Sequence, residues 1–70
     1  MKYDVFGTPL EVVNRDGAWK VFYLGSEGKK RPARDIVIPP SISEESVQEY
    51  LADLRHEWAT PTNQQVIRID

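Results

Sequence analysis

Two turn signals near the start of the chain constrain the fold more than any other feature. Gly7-Thr8 and Asp16-Gly17 separate three runs rich in Val, Tyr, Phe and Trp, which span residues 3–6, 10–15 and 18–24. Such runs, joined by short turns that contain glycine, are typical of β-hairpins. The sequence therefore predicts a meander of three antiparallel strands.

The two turns also predict which side chains share a face. A two-residue turn at Asp16-Gly17 places Val12 opposite Val21, and the same rule at Gly7-Thr8 places Val5 opposite Leu10 and Tyr3 opposite Val12. One face then holds an apolar set: Tyr3, Val5, Leu10, Val12, Trp19, Val21 and Tyr23. The other face holds a mixed set: Lys2, Asp4, Glu11, Val13, Arg15, Lys20 and Phe22. A slip of one residue in either hairpin would turn apolar side chains toward water, so we expect both registers.

The rest of the chain predicts a loop, a short strand and a helix. Residues 25–32 contain two glycines and a proline and predict an exposed loop. Residues 35–38 are β-branched and precede Pro39-Pro40, which predicts a fourth strand, at an edge beside the third. A capping-box spacing and an apolar stripe predict a helix from Ser43 to about Thr60, and the stripe consists of Val47, Tyr50, Leu51, Leu54 and Trp58. Residues 62–70 either add a strand or fray.

These elements predict an α+β fold. The apolar face of the sheet and the stripe of the helix can cover each other, which gives a three- or four-stranded antiparallel sheet with one C-terminal amphipathic helix on one face. A chain of 70 residues has room for one small domain, here residues 1–70 with an ordered core over about 2–61.

Composition narrows the classes of function. The chain has no cysteine, so it can form neither disulfides nor thiolate metal sites, and a cytoplasmic location fits best. We expect neither secretion nor membrane association, because no stretch resembles a signal peptide or a membrane span. His56 is the only histidine and lacks partners at helical spacing. We therefore predict no catalytic residue, no metal and no cofactor, with an enzyme as a remote alternative.

A basic cluster is the first candidate binding site. Lys29, Lys30, Arg31 and Arg34 give residues 29–35 a charge of +3, between flanks of −1 and −4. These cations could hold a phosphate or another anion, although a net charge of −2 argues against a general nucleic-acid binder. They could also fold over an acidic ridge on the helix, formed by Glu45, Glu49, Asp53 and Glu57, or pair with that ridge on a second copy. A plain solvated loop is the simplest interpretation.

Exposed apolar side chains are the second candidate. Val13 and Phe22 lie on the mixed face of the predicted sheet, and we expect Phe6 and Val37 to extend the same patch. The sequence therefore predicts a small non-catalytic module that binds another protein or a second copy of itself. Binding of nucleic acid or another anion through residues 29–34 is the alternative.

The overall layout also resembles a known family. Hairpins that lead into a helix ending in Glu57-Trp58-Ala59-Thr60-Pro61 resemble the small MbtH-like adaptors of peptide synthetases. The chain has Ala18-Trp19 and Trp58-Ala59 in place of that family's Gly-Trp and Trp-Pro pairs, so no binding residue is carried over. The resemblance implies that a domain of this layout can serve as a non-catalytic adaptor.

Overall fold

A computed structural model of the protein describes residues 1–25 and 28–70. Its sheet has five antiparallel strands in the spatial order β4-β3-β2-β1-β5. The elements are β1 (Lys2–Val5), β2 (Thr8–Arg15), β3 (Ala18–Leu24), β4 (Lys30–Pro32), helix α1 (Glu44–Leu54), a 3-10 helix (His56–Trp58) and β5 (Val66–Arg68). The predicted α+β class with one helix on the sheet is confirmed, and the sheet gains a strand from the C-terminal segment.

The hairpin of β2 and β3 has the predicted register. Val12 lies opposite Val21, and Glu11 lies opposite Phe22. Asp16 and Gly17 form the turn with φ angles of 53° and 80°. Positive φ at both central residues defines the turn whose twist matches that of the two strands, and Asp-Gly is a preferred pair for it.

The first hairpin turns one residue earlier than predicted. Phe6 and Gly7 are its central residues, with φ angles of 51° and 91°, and the N–H of Gly7 donates to Asp4 Oδ1 at 2.6 Å. Tyr3 therefore lies opposite Leu10, and Val5 lies opposite Thr8. The predicted pairs of Val5 with Leu10 and of Tyr3 with Val12 were wrong by two residues. A shift of two keeps every side chain on its predicted face.

The basic segment belongs to the sheet. β4 pairs with β3, with Lys30 opposite Leu24 and Pro32 opposite Phe22, so the prediction of a loop over 25–32 was wrong for this part. Residues 26 and 27 of the predicted loop lie outside the described residues. At the far edge of the sheet, β5 pairs with β1 and places Ile67 opposite Asp4. Of the two alternatives for residues 62–70, the structure has the strand, so the order extends beyond residue 61.

Residues 33–42 form a crossing segment that packs against the apolar inner face. The predicted strand at 35–38 was wrong, because these residues join no ladder. The alternation in the sequence is nevertheless expressed, since Ile36 and Ile38 are buried while Val37 is 69% exposed. Hydrogen bonds from side chains hold the backbone: Trp19 Nε1 donates to Ile42 O at 2.9 Å, Tyr50 Oη to Val37 O at 2.9 Å and Arg55 Nη2 to Asp35 O at 2.7 Å.

Helix α1 covers the β1 and β5 side of the inner face and is shorter than predicted. Ser43 is its N-cap, and the helix ends at Leu54, before the 3-10 helix. Val47 and Leu51 are fully buried, whereas Tyr50, Leu54 and Trp58 are half-buried. Trp58 lies beside Tyr23, with 6.5 Å between ring centroids. The predicted stripe therefore faces the core, with its centre the most deeply buried.

Leu51→Ala is expected to cost about 2 to 5 kcal/mol of unfolding free energy, because it leaves a cavity between α1 and the sheet. Ile67→Ala is the matched control: its side chain is 51% exposed, so its cost should stay within about 0.5 kcal/mol. Urea unfolding followed by circular dichroism measures both. Equal stability of the two variants would contradict the assignment of Leu51 to the core.

Candidate functional site

The sheet face that points away from α1 is open, and we call it the outer face. Opposed residues in a ladder share a face, so the registers of the four strand pairs assign the side chains. Its apolar members are Pro9, Val13, Phe22, Leu24, Pro32, Ile67 and Ile69. Its charged members are Lys2, Asp4, Glu11, Arg15, Lys20 and Lys30. The outer face thus crosses all five strands and mixes apolar groups with charges of both signs.

The predicted interaction residues Val13 and Phe22 both lie on the outer face and are half-buried. Ile67 and Ile69, which are 51% and 54% exposed, extend the face at its β5 side. Phe6 and Val37 were wrongly expected in the same patch. Phe6 is buried with the core at 7% exposure, and Val37 lies on the crossing segment.

Lys30 is engaged with two neighbours on the outer face. Its ammonium group forms an ion pair with the Glu11 carboxylate and lies 5.9 Å from the centroid of the Phe22 ring. The hydrogen bond from Lys30 lowers the pKa of Glu11 from its ordinary value. Glu11 has a side chain that is only 14% exposed, which explains the need for a partner. Lys30 therefore compensates a charge of its own protein.

Neighbouring basic residues of β4 face opposite sides of the sheet. Arg31 lies opposite Tyr23 and so faces the inner side, whereas its neighbour Lys30 faces outward. Lys29 precedes the strand and Arg34 follows it, and both are exposed. Within residues 1–25 and 28–70, no ion pair involves Lys29, Arg31 or Arg34. The cluster in the sequence therefore does not form one surface.

Most of the acidic ridge lies at the opposite side of the sheet from the basic strand. Helix α1 packs on β1 and β5, at the opposite side of the sheet from β4. Glu45, Glu49 and Asp53 line a groove of about 520 Å³ between α1 and residues 64–66. No ion pair among the described residues joins residues 29–34 to this ridge, so the alternative in which the basic residues fold over the ridge of the same molecule is wrong.

His56 is exposed and lies at the same groove. In the part of the chain that the structure describes, no group of three or more His, Asp and Glu side chains is arranged to hold a metal ion. No helix of residues 1–25 and 28–70 has the length and apolar character needed to cross a membrane.

The fold and the outer face define a class: a small α+β domain whose antiparallel sheet is covered on one side and open on the other. The chain belongs to the DUF7661 family, described as a domain of unknown function, whose family model matches residues 1–70. Neither the curated proteins nor the solved structures contain a significant match to the chain.

Lys30→Met is expected to raise the pKa of Glu11 toward its ordinary value, because the hydrogen bond from Lys30 is the largest cause of the lowered pKa. A carboxyl whose pKa is lowered by folding adds stability above its unfolded pKa and loses it as the pH falls through the folded pKa. The variant should therefore lose less stability on acidification than the parent. NMR titration of the Glu11 side chain and urea unfolding between neutral and acidic pH measure the two effects. Lys29→Met is the control, and an unchanged Glu11 pKa in the Lys30 variant would contradict the pairing.

Proposed function

We propose that the protein is a small non-catalytic module that binds another protein through its outer face. The observation that carries the proposal is the contrast between the two sides of one sheet. Among residues 1–25 and 28–70, α1 and the crossing segment cover the inner side, and no element covers the apolar groups that β5, β2, β3 and β4 present on the outer side. An uncovered apolar surface rimmed by polar groups is a common feature of protein interaction sites.

The arrangement of side chains on the outer face fits a protein partner. One row across the sheet holds Ile67, Pro9 and Leu24, and the next row holds Ile69, Phe22 and Pro32. Phe22 lies in the interior of the second row, where an aromatic side chain can serve as the central anchor of an interface. Protein interfaces combine such apolar centres with polar rims and are only slightly more than half apolar overall.

The charges on the outer face favour a protein over a nucleic acid. Lys30 is paired with Glu11, and Asp4 lies in the row beside Pro9. A phosphate backbone would meet these carboxylates as well as the lysines, whereas strong binding of nucleic acids relies on unopposed cations. A protein surface can match both signs of charge at once.

Photo-cross-linking in cells that naturally express the protein tests this proposal. A photoreactive residue at Val13 or at Ile67 should capture the same partner protein, and one at Glu49 on the exposed side of α1 should not. Phe22→Asp, made in the Val13 cross-linker, should reduce capture by about tenfold or more, as expected for a central aromatic anchor. Mass spectrometry identifies the captured proteins.

Two controls make the result specific. Ile67→Asp changes an exposed side chain of the outer face, so it should reduce capture while the chain stays folded. Circular dichroism checks the folding of each variant. Val37→Asp introduces the same charge at an exposed valine outside the outer face and should leave capture unchanged. Capture from Glu49 alone, or of only a second copy of the chain, would overturn the proposal.

A further inference from the structure

The two terminal edges of the sheet are protected against pairing with another strand. At β5, the Val66 carbonyl accepts a hydrogen bond from Gln48 Nε2 of α1 at 2.7 Å. At β4, Arg31 directs its backbone groups toward Tyr23, so Lys30 and Pro32 direct theirs outward. Proline has no N–H, and charged side chains with proline are the usual protection of an edge strand.

The first half of β3 lacks such protection. β4 pairs only with Phe22–Leu24, and one further hydrogen bond joins Ala33 N to Val21 O at 2.8 Å. Among residues 1–25 and 28–70, no strand pairs with Ala18–Lys20 on the side away from β2. The closing pair of a two-residue hairpin is hydrogen-bonded, here Arg15 with Ala18, so the backbone N–H and C=O of Trp19 point toward this open side.

A groove lies beside this open edge. It measures about 420 Å³ and is lined by Trp19 and Lys20 of β3 and by Arg34, Ile36 and Val37 of the crossing segment, among others. Trp19 is held in place by the hydrogen bond from Nε1 to the Ile42 carbonyl. Val37 is 69% exposed. The groove therefore combines an apolar wall, two cations and an unpaired stretch of backbone.

We propose that the open edge of β3 binds an extended segment of another protein, which adds a strand to the sheet and carries an apolar residue flanked by carboxylates. The residue opposite Trp19 would share its face and contact the apolar wall. Its neighbours in the segment would share the face of Lys20, where carboxylates are favoured. Backbone pairing supplies affinity in this binding mode, and the alternate side chains supply specificity. The groove shares Lys20, Phe22 and Pro32 with the outer face of the proposed function, whereas the backbone pairing involves the edge of β3 alone.

Charge selects another protein over a second copy as the occupant. Pairing two copies through this edge would bring Lys20 and Arg34 of both copies into one interface, and like charges at close range are unfavourable. Asp35 cannot offset them, because its carboxylate already accepts hydrogen bonds from Arg55 and Tyr23. Asp16 lies in the β2–β3 turn and is a single acid against these two cations. An acidic segment would instead complement both cations.

An NMR titration of the full chain tests the proposal with synthetic octapeptides. The probe is a peptide of alternating Val and Glu, and the comparison peptides alternate Val and Lys or hold four Val followed by four Glu. We expect the Val-Glu peptide to shift the Trp19 amide and slow its hydrogen exchange, with a Kd about tenfold or more below those of the comparison peptides, because only it matches both the strand period and the charge. Arg34→Glu should weaken its binding by about fivefold or more, and Lys2→Glu, a matched charge reversal at β1, should not.

Methylation of the peptide backbone distinguishes strand addition from charge attraction alone. One version of the Val-Glu peptide is methylated on its four Val amides, and a second version on its four Glu amides. These methyl groups block opposite edges of the peptide strand, so one version should lose binding and the other should retain it. Equal effects of the two methylations, equal affinity for the three peptides, or shifts confined to the outer face would overturn the proposal. Dimerisation of the free chain with protection of the Trp19 amide would overturn it as well, because the edge would then bind a second copy.

Discussion

The inner face of the sheet has to be buried, and helix α1 is too small to bury it alone. Eleven residues give a helix about 16 Å long and about 10 Å wide, whereas five strands span about 19 Å from the first axis to the last. The crossing segment covers the remainder with Ile36 and Ile38. Because it leaves the ladder to do so, three of its backbone carbonyls accept hydrogen bonds from side chains, which Trp19, Tyr50 and Arg55 donate. Departure of this segment from β3 also opens the sheet edge at Trp19.

Local patterns predicted most of this architecture, and their failures have identifiable physical causes. Alternation around Asp16-Gly17 predicted every pair of the second hairpin. The first hairpin was displaced because its turn requires a left-handed φ at Phe6, a conformation that sequence rules do not assign to a bulky aromatic residue. At residues 35–38 the period of two correctly predicted which side chains are buried. It could not reveal that the extended backbone would pair with side chains instead of with a strand, since that choice depends on the width of the whole sheet.

Only the part of the candidate site that lies on the two hairpins was predictable from the sequence. Val13 and Phe22 were placed on the outer face from the register of one local turn. Ile67 and Ile69 were missed because β5 pairs with β1 across nearly the whole chain, and a pairing at such sequence separation leaves little local signal. The basic residues were grouped because they are adjacent in the sequence, but a strand directs successive side chains to opposite faces. Glu11 is a carboxylate that was predicted on the same face as Phe22, and it could have suggested a partner for Lys30.

The fold therefore explains most of the basic residues without a ligand. Lys30 neutralises Glu11 across Phe22, and Lys30, Arg31 and Pro32 together protect the outermost edge against uncontrolled pairing. That protection ends where β4 ends, and at this point the chain presents Arg34 and the unpaired half of β3 beside each other. The cations that protect this edge also select the strand that can bind to it, because cations that repel a basic strand attract an acidic one. Among residues 1–25 and 28–70, the first half of β3 is the stretch of edge without this protection, and the proposal gives the cations beside it the role of attracting an acidic strand.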